Sequence, residues 1–201
     1  MNLLLDVLVP QLARPTGPLG GLVASALDRG NRSINMHVVG ALDLAPNERA
    51  LEIGFGGGVG LSIALAHEPT VKLAGIDPSP DMVTRCQRRF PSVDLRQGFV
   101  EELPWSDHSF DAIHGSNVTY FWPDLPAALG ELKRVLAPGG RLAFGIRPPE
   151  TLLRLKFDQA GHRVWKLEQY VEALQRAGFT NAHARRVPDD NGGAHVLSAT
   201  S

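Results

Sequence analysis

Along the chain, short apolar runs alternate with stretches of helical spacing. Ala50 to Gly54, Val71 to Asp77, Asp94 to Gly98 and Asp111 to Ser116 read as strands, with helices at Gly58 to His67 and Pro80 to Phe90 between them. This alternation predicts a parallel sheet with right-handed crossovers. Leu125, Leu129, Leu132 and Leu136 then recur at spacings of three and four, which predicts a helix with one apolar face that ends at Gly139-Gly140. After a strand from Arg141 to Ile146, Leu167, Val171 and Leu174 repeat the spacing in a helix from Leu167 to Ala177, stopped by Gly178. Ala182 to Val187 and Ala194 to Ala199 close the pattern as two strands, joined by the hairpin signal Asp189-Asp190-Asn191-Gly192-Gly193.

Ahead of the first strand, Met1 to Val9 has no basic start, contains Asp6 and stops at Pro10, so it reads as a short packing or lid helix, not a secretory core. Arg14 to Gly21 (RPTGPLGG) reads as a proline and glycine hinge, and Leu22 to Leu44 as one or two helices. Together these residues are expected to form a lid over the tips of the strands.

Composition narrows the class without changing the pattern. A chain of 201 residues, 43% hydrophobic and 20% charged, fits one enzyme-sized domain. A formal net charge of -1 gives no reason to expect a nucleic-acid partner. No apolar run approaches the roughly 20 residues that span a bilayer, so membrane insertion is not expected. The single cysteine, Cys86, has neither a disulfide partner nor metal ligands at useful spacing, which fits a reducing cytoplasm.

The chemistry concentrates in Leu51 to Gly60 (LEIGFGGGVG), followed by Gly75-Ile76-Asp77. A strand ending in a glycine turn, then a helix, then a second strand ending in a carboxylate is how α/β folds hold an adenosine-bearing cofactor. The glycines let the backbone approach the ligand, and the acid accepts from the ribose hydroxyls. The dinucleotide spacing G-x-G-x-x-G fits in no frame, because Val59, Leu61 and Ile63 fall where the third glycine belongs. G-x-G-x-G does fit, at Gly54, Gly56 and Gly58, with Glu52 two residues ahead.

That run resembles the first motif of class I S-adenosylmethionine-dependent methyltransferases. Val93 to Trp105, Phe110 to Asp124 and Leu129 to Gly140 look like successive landmarks of the small-molecule branch that includes the ubiquinone and menaquinone methyltransferases, a match over residues 45 to 180. The resemblance implies a Rossmann-like fold: seven mostly parallel strands with helices on both faces, the last strand antiparallel and an N-terminal helical lid. It implies a single domain, with residues 1–44 as lid and 45–201 as the core that binds S-adenosyl-L-methionine. No metal is implied. The expected acceptor is a small, partly apolar molecule. A non-catalytic cofactor-binding protein on the same scaffold and a nicotinamide-dependent oxidoreductase are the alternatives.

By the same resemblance, Glu52 organises the methionine end of the site beside Gly54, Phe55, Gly56 and Gly58, and Asp77 takes the ribose. Pro78 and Met82 line the adenine slot, a buried core methionine being the alternative for Met82. Many relatives place an Asp where this chain has Phe99. Phe99 is therefore expected to pack on the adenine ring, with the Val100 N–H and the Glu101 carboxylate meeting its polar edge. Ser116 contacts the methionine part through its backbone. Asn117, Tyr120 and His37 are the candidate catalytic groups on the acceptor side, with Phe121 and Trp122 as an apolar wall, and Asn31, Asn35, Met36 and His37 of the lid are expected to face the methyl acceptor. Asn117 to Tyr120 lack both prolines of the N-P-P-Y motif, so methylation of an adenine or glutamine nitrogen is not inferred. His114, in mid-strand, reads as a core histidine, and Cys86 with Arg85, Arg88 and Arg89 as a helix face far from the strand tips.

Overall fold

The structure is a computed structural model that describes residues 17–159, 161–189 and 192–201, with side chains from residue 28 onward. Seven strands form one sheet in the order β3-β2-β1-β4-β5-β7-β6, built from β1 (Arg49–Ile53), β2 (Lys72–Asp77), β3 (Asp94–Gln97), β4 (Phe110–Ser116), β5 (Leu136–Ile146), β6 (Thr180–Val187) and β7 (Ala194–Thr200). The pairs β1 with β2, β1 with β4, β2 with β3 and β4 with β5 are parallel. β7 runs antiparallel to both β5 and β6. This is the Rossmann-like arrangement expected.

The strand period of two divides the core into two layers. Leu51 and Ile53 of β1 join Ile113 of β4 and Phe144 of β5 on one face, against α4 (Leu125–Val135) and α6 (Leu167–Arg176). Ala50, Ala112 and Ala143 lie in the other layer, with α1 (Gly17–Leu42), α2 (Val59–His67) and α3 (Pro80–Arg89). Small residues predominate on that side because α1 packs close: a Cβ on Gly145 would stand 2.7 Å from Ile34.

Two expectations change. The hinge at Arg14 to Gly21 does not form where it can be seen, because α1 runs unbroken from Gly17. Pro18 falls in the first turn, where the missing N–H has no intrahelical partner to lose, and burial of Ile34, Val38, Val39 and Leu42 outweighs the cost of Gly20 and Gly21. The short helix expected at Met1 to Val9 lies outside the described residues. The α4 helix, in turn, ends at Val135 and not at Gly139-Gly140. Leu136 is extended and pairs with Phe110 in the sheet, and Gly139, at φ +77°, turns the chain within a register shift. A short helix not foreseen in the pattern, α5 (Pro149–Arg154), follows β5.

Candidate functional site

The C-terminal ends of β1, β2 and β4 open into one cavity of about 740 Å³, the place where ligands bind in open α/β sheets. Gly54, Phe55, Gly56 and Gly57 line it after β1, Asp77 and Pro78 after β2, and Ser116 and Asn117 after β4. Gly54, Gly56 and Gly58 sit at φ +67°, +50° and +85°, in the left-handed region that favours glycine. A Cβ on Gly56 would meet nothing within 4 Å, so that backbone stands open to whatever the cavity holds.

The loop is held from several sides. Asp77 accepts from the Gly56 N–H at 2.8 Å and from the Ser79 N–H at 2.9 Å. Ser79 caps α3, its hydroxyl accepting from the Met82 N–H. From α3, the Cys86 thiol donates to the Gly56 carbonyl at 3.3 Å, and Arg89 donates to the Gly57 carbonyl at 3.1 Å and to the Ser62 hydroxyl at 2.8 Å. The α3 face thus supports the glycine turn and is not remote from it as the sequence suggested. Cys86 is no nucleophile: burial and the neighbouring carboxylates push its thiol up to about 12.

Glu52 is 3% exposed, and its Oε2 has no hydrogen-bond partner among the described residues. Burial, then the charges of Asp28 and Asp77, hold its carboxyl well above the usual carboxylate range, while the Leu61 N–H pulls the other way. Phe99 lines the cavity with 58% of its surface exposed, an open aromatic face in a folded protein. Val100 and Glu101 line it too, and Glu101 Oε1 is buried without a partner among the described residues. These features fit an adenosine-bearing cofactor with a cationic end. The unsatisfied oxygens call for donors, Phe99 offers a stacking surface, and the open glycine turn offers close approach.

Farther along the cavity the lining becomes apolar. Phe121, Trp122, Leu152 and Phe157 contribute, and Tyr120, Phe121 and Phe157 pack ring against ring with centroids 5.0 to 5.7 Å apart. A few polar groups interrupt this wall. Asn117 donates to Asn31 Oδ1 at 2.8 Å, and its own Oδ1 is buried without a partner among the described residues. Arg147 pairs with Asp189 and also donates to the Gly30 carbonyl at 3.3 Å. His162 stands with its ring 5.0 Å from that of Phe121, and burial holds its imidazole below the usual histidine range.

Of the residues named from the sequence, Glu52, Gly54, Phe55, Gly56, Asp77, Pro78, Phe99, Val100, Glu101, Ser116, Asn117 and Tyr120 come together around the cavity. Four do not line it. Gly58 faces Phe90 and Cys86, Met82 is buried in the core, Met36 is exposed to solvent, and His37 lies outside the lining. Tyr120 is buried, which raises its hydroxyl well above its ordinary range and keeps it protonated. Asn31 and Asn35, expected to face the acceptor, do line the cavity. Asp28, Arg147 and His162 were missed, because each comes from a stretch with no motif and only tertiary folding brings it to the site. Among the described residues, no three His, Cys, Asp or Glu side chains gather as a metal-ligand set, and no helix is long and apolar enough to cross a membrane.

Residues 51–144 match the family model described as a methyltransferase domain. An uncharacterised methyltransferase of Bacillus subtilis is 31% identical over 60% of this chain and 67% of its own length. A phthiotriol/phenolphthiotriol dimycocerosates methyltransferase of Mycobacterium leprae is 31% identical over 76% of this chain and 58% of its own. The chain spans between 34% and 64% of the first few curated relatives it matches. Among solved structures, a methyltransferase from Aquifex aeolicus shares the fold, with a TM-score of 0.71 at 20% identity over 88% of this chain and 96% of that one.

Proposed function

Since the chain belongs to the S-adenosylmethionine-dependent methyltransferases, we propose that it moves a methyl group to a small, partly apolar acceptor by in-line displacement. The observation that supports this most is the continuity of one cavity, which joins the glycine turn and Asp77 at one end to an aromatic wall at the other. When bound, S-adenosylmethionine supplies an electrophilic methyl on a sulfonium. The chain's own task is then to hold two ligands in line and keep water out, because such positioning supplies much of the rate.

In this reading Asp77 takes the ribose hydroxyls, Gly54 to Gly57 lie along the amino-acid part, and Phe99 with Glu101 meets the adenine. Gly58 and Met82 act from behind, shaping the loop and the end of α3 instead of touching the ligand. On the acceptor side Phe121, Trp122, Leu152 and Phe157 receive the apolar part, while Asn31 and Asn117 orient the polar part. The name of the Mycobacterium leprae relative specifies dimycocerosates, which agrees with an apolar acceptor. Tyr120, held protonated, serves as a hydrogen-bond donor. His162, held neutral by burial, is the lining group suited to take a proton from an acceptor that must lose one. The lid is α1 itself, contributing Asp28, Gly30, Asn31 and Asn35 to the cavity, with Arg147, Thr151, Leu152, Phe157 and His162 closing the other side.

A panel of phenols, long-chain acids and small amines, offered with S-adenosylmethionine and scored by release of S-adenosylhomocysteine, tests the reading. Turnover of an acceptor with an apolar part is expected. Tight cofactor binding with no turnover across the panel would favour a non-catalytic cofactor-binding role.

A further inference from the structure

Asp28, Glu52 and Asp77 bring three carboxylates to the same end of the cavity, from α1, β1 and β2. Asp77 is committed to the Gly56 and Ser79 N–H groups. Glu52 Oε2 is different: it is fully enclosed, belongs to a cavity-lining residue and has no donor among the described residues. Asp28 fills the space where a side chain on Gly57 would stand, since a Cβ there would lie 2.6 Å from its Cγ. A carboxylate from the covering helix is thereby pinned over the glycine turn.

We propose that Asp28, reaching over from α1, shares with Glu52 the binding of the ammonium group on the amino-acid part of the cofactor. The proposal rests on the methyltransferase reading above. An ammonium brings three N–H donors and a positive charge, which answers both the donor missing at Glu52 and the excess of negative charge around it. The adenine and ribose offer no such cation.

The surrounding groups define what binding does to protons. Asp77 faces the pair from β2, the Leu61 N–H from α2, and Asn35 from α1. Arg85, Arg89 and Cys86 face it from α3, and His114 is the register partner of Glu52 on β4. Cys86, pushed up to about 12, and His114, held down to about 4, both stay neutral near pH 7. Asp28 is itself raised by burial, against the pull of Arg85 and Arg89. Burial thus raises both members of the acid pair, the carboxyls that a bound cation would act on. A bound cation favours the ionised pair, so binding expels a proton, and affinity rises with pH until the free protein is itself fully ionised.

The test is calorimetry with S-adenosylhomocysteine and with 5′-methylthioadenosine, which keeps the nucleoside but lacks the ammonium. Titrations in buffers of different ionisation enthalpy count the protons released. Asp28 accepts from the Gly57 N–H, and the amide oxygen of Asp28→Asn can accept the same bond, so the loop keeps its support. We expect this variant to bind S-adenosylhomocysteine about tenfold more weakly and to release fewer protons, with methylthioadenosine binding unchanged. Asp28→Ala, checked for folding by its thermal melt, should behave alike. Equal weakening of both ligands would assign Asp28 to the loop's structure and overturn the proposal, as would an unaltered affinity for S-adenosylhomocysteine. Failure of the unsubstituted protein to bind either ligand would instead overturn the methyltransferase reading, and this proposal with it.

Discussion

The Asp77 carboxylate accepts a 2.8 Å hydrogen bond from the backbone N–H of Gly56, which makes the end of β2 and the turn after β1 a single unit. The same acid therefore shapes the loop and faces the ligand. Asp77→Ala should cost about 1.5 to 3 kcal/mol of affinity for S-adenosylhomocysteine, since charge-assisted hydrogen bonds to the ribose are lost. Calorimetry reads this directly. Unchanged affinity in a folded variant would remove Asp77 from the ribose site.

Gly56 tests the open backbone at the same place. Its φ of +50° makes any side chain strained by about 1 kcal/mol, yet no protein atom lies within 4 Å of a Cβ there. Gly56→Val should melt within a few degrees of the unsubstituted protein and gain no thermal stabilisation from added cofactor. Equal stabilisation of the two proteins would show that the loop only turns the chain.

Gly60 and Gly130 should respond to alanine with opposite signs. A Cβ on Gly60 would lie 2.7 Å from Glu52 Cδ and 2.9 Å from Asn35 Oδ1, so Gly60→Ala should destabilise by about 1 to 3 kcal/mol through overpacking. Gly130 lies within α4 with nothing near its missing side chain, and Gly130→Ala should stabilise by about 0.5 to 1 kcal/mol. Denaturant midpoints measure both. A tolerated Gly60→Ala would mean that Glu52 is not held against the start of α2.

His114 should leave a mark on acid stability. It is fully buried, neither ring nitrogen has a partner among the described residues, and burial holds its pKa at about 4 against an ordinary 6.5. The unfolded chain takes up a proton as pH falls below 6.5 while the fold resists it until about 4, so this contribution is intact above 6.5 and drains away through that window. It amounts to about 3 kcal/mol. Glu52, raised in the fold, acts in the opposite sense, losing stability as pH rises above the ordinary carboxylate range. The difference between the unsubstituted protein and His114→Leu isolates the histidine. The variant should lose less stability between pH 6.5 and 4 by urea titration, and parallel slopes would show that the ring finds a partner.

The pattern of apolar residues carried the parallel core, because β1, β2 and β4 are buried on both faces and α3, α4 and α6 each show one apolar stripe. It misplaced the end of α4, since Leu136 serves equally well as the next turn of a helix or as the partner of Phe110, and only the sheet decides. The glycine turn and Asp77 were legible as a site because their chemistry is local in sequence. Asp28 and His162 were not: one sits on a helix read as a lid, the other in a loop between α5 and α6, and neither is marked by spacing. His37, three residues after the buried Ile34, was placed by its helix position alone, and the turn of α1 that reaches the cavity is the one bearing Asp28 and Asn31.

The most direct test of the account is a calorimetric titration of the folded chain with S-adenosylhomocysteine and, separately, with NADH. Saturable one-site binding of S-adenosylhomocysteine, abolished or strongly weakened in Asp77→Ala, with no heat from NADH, is the predicted result. Binding of NADH in competition at this site, or no binding of S-adenosylhomocysteine by the folded protein, would contradict it.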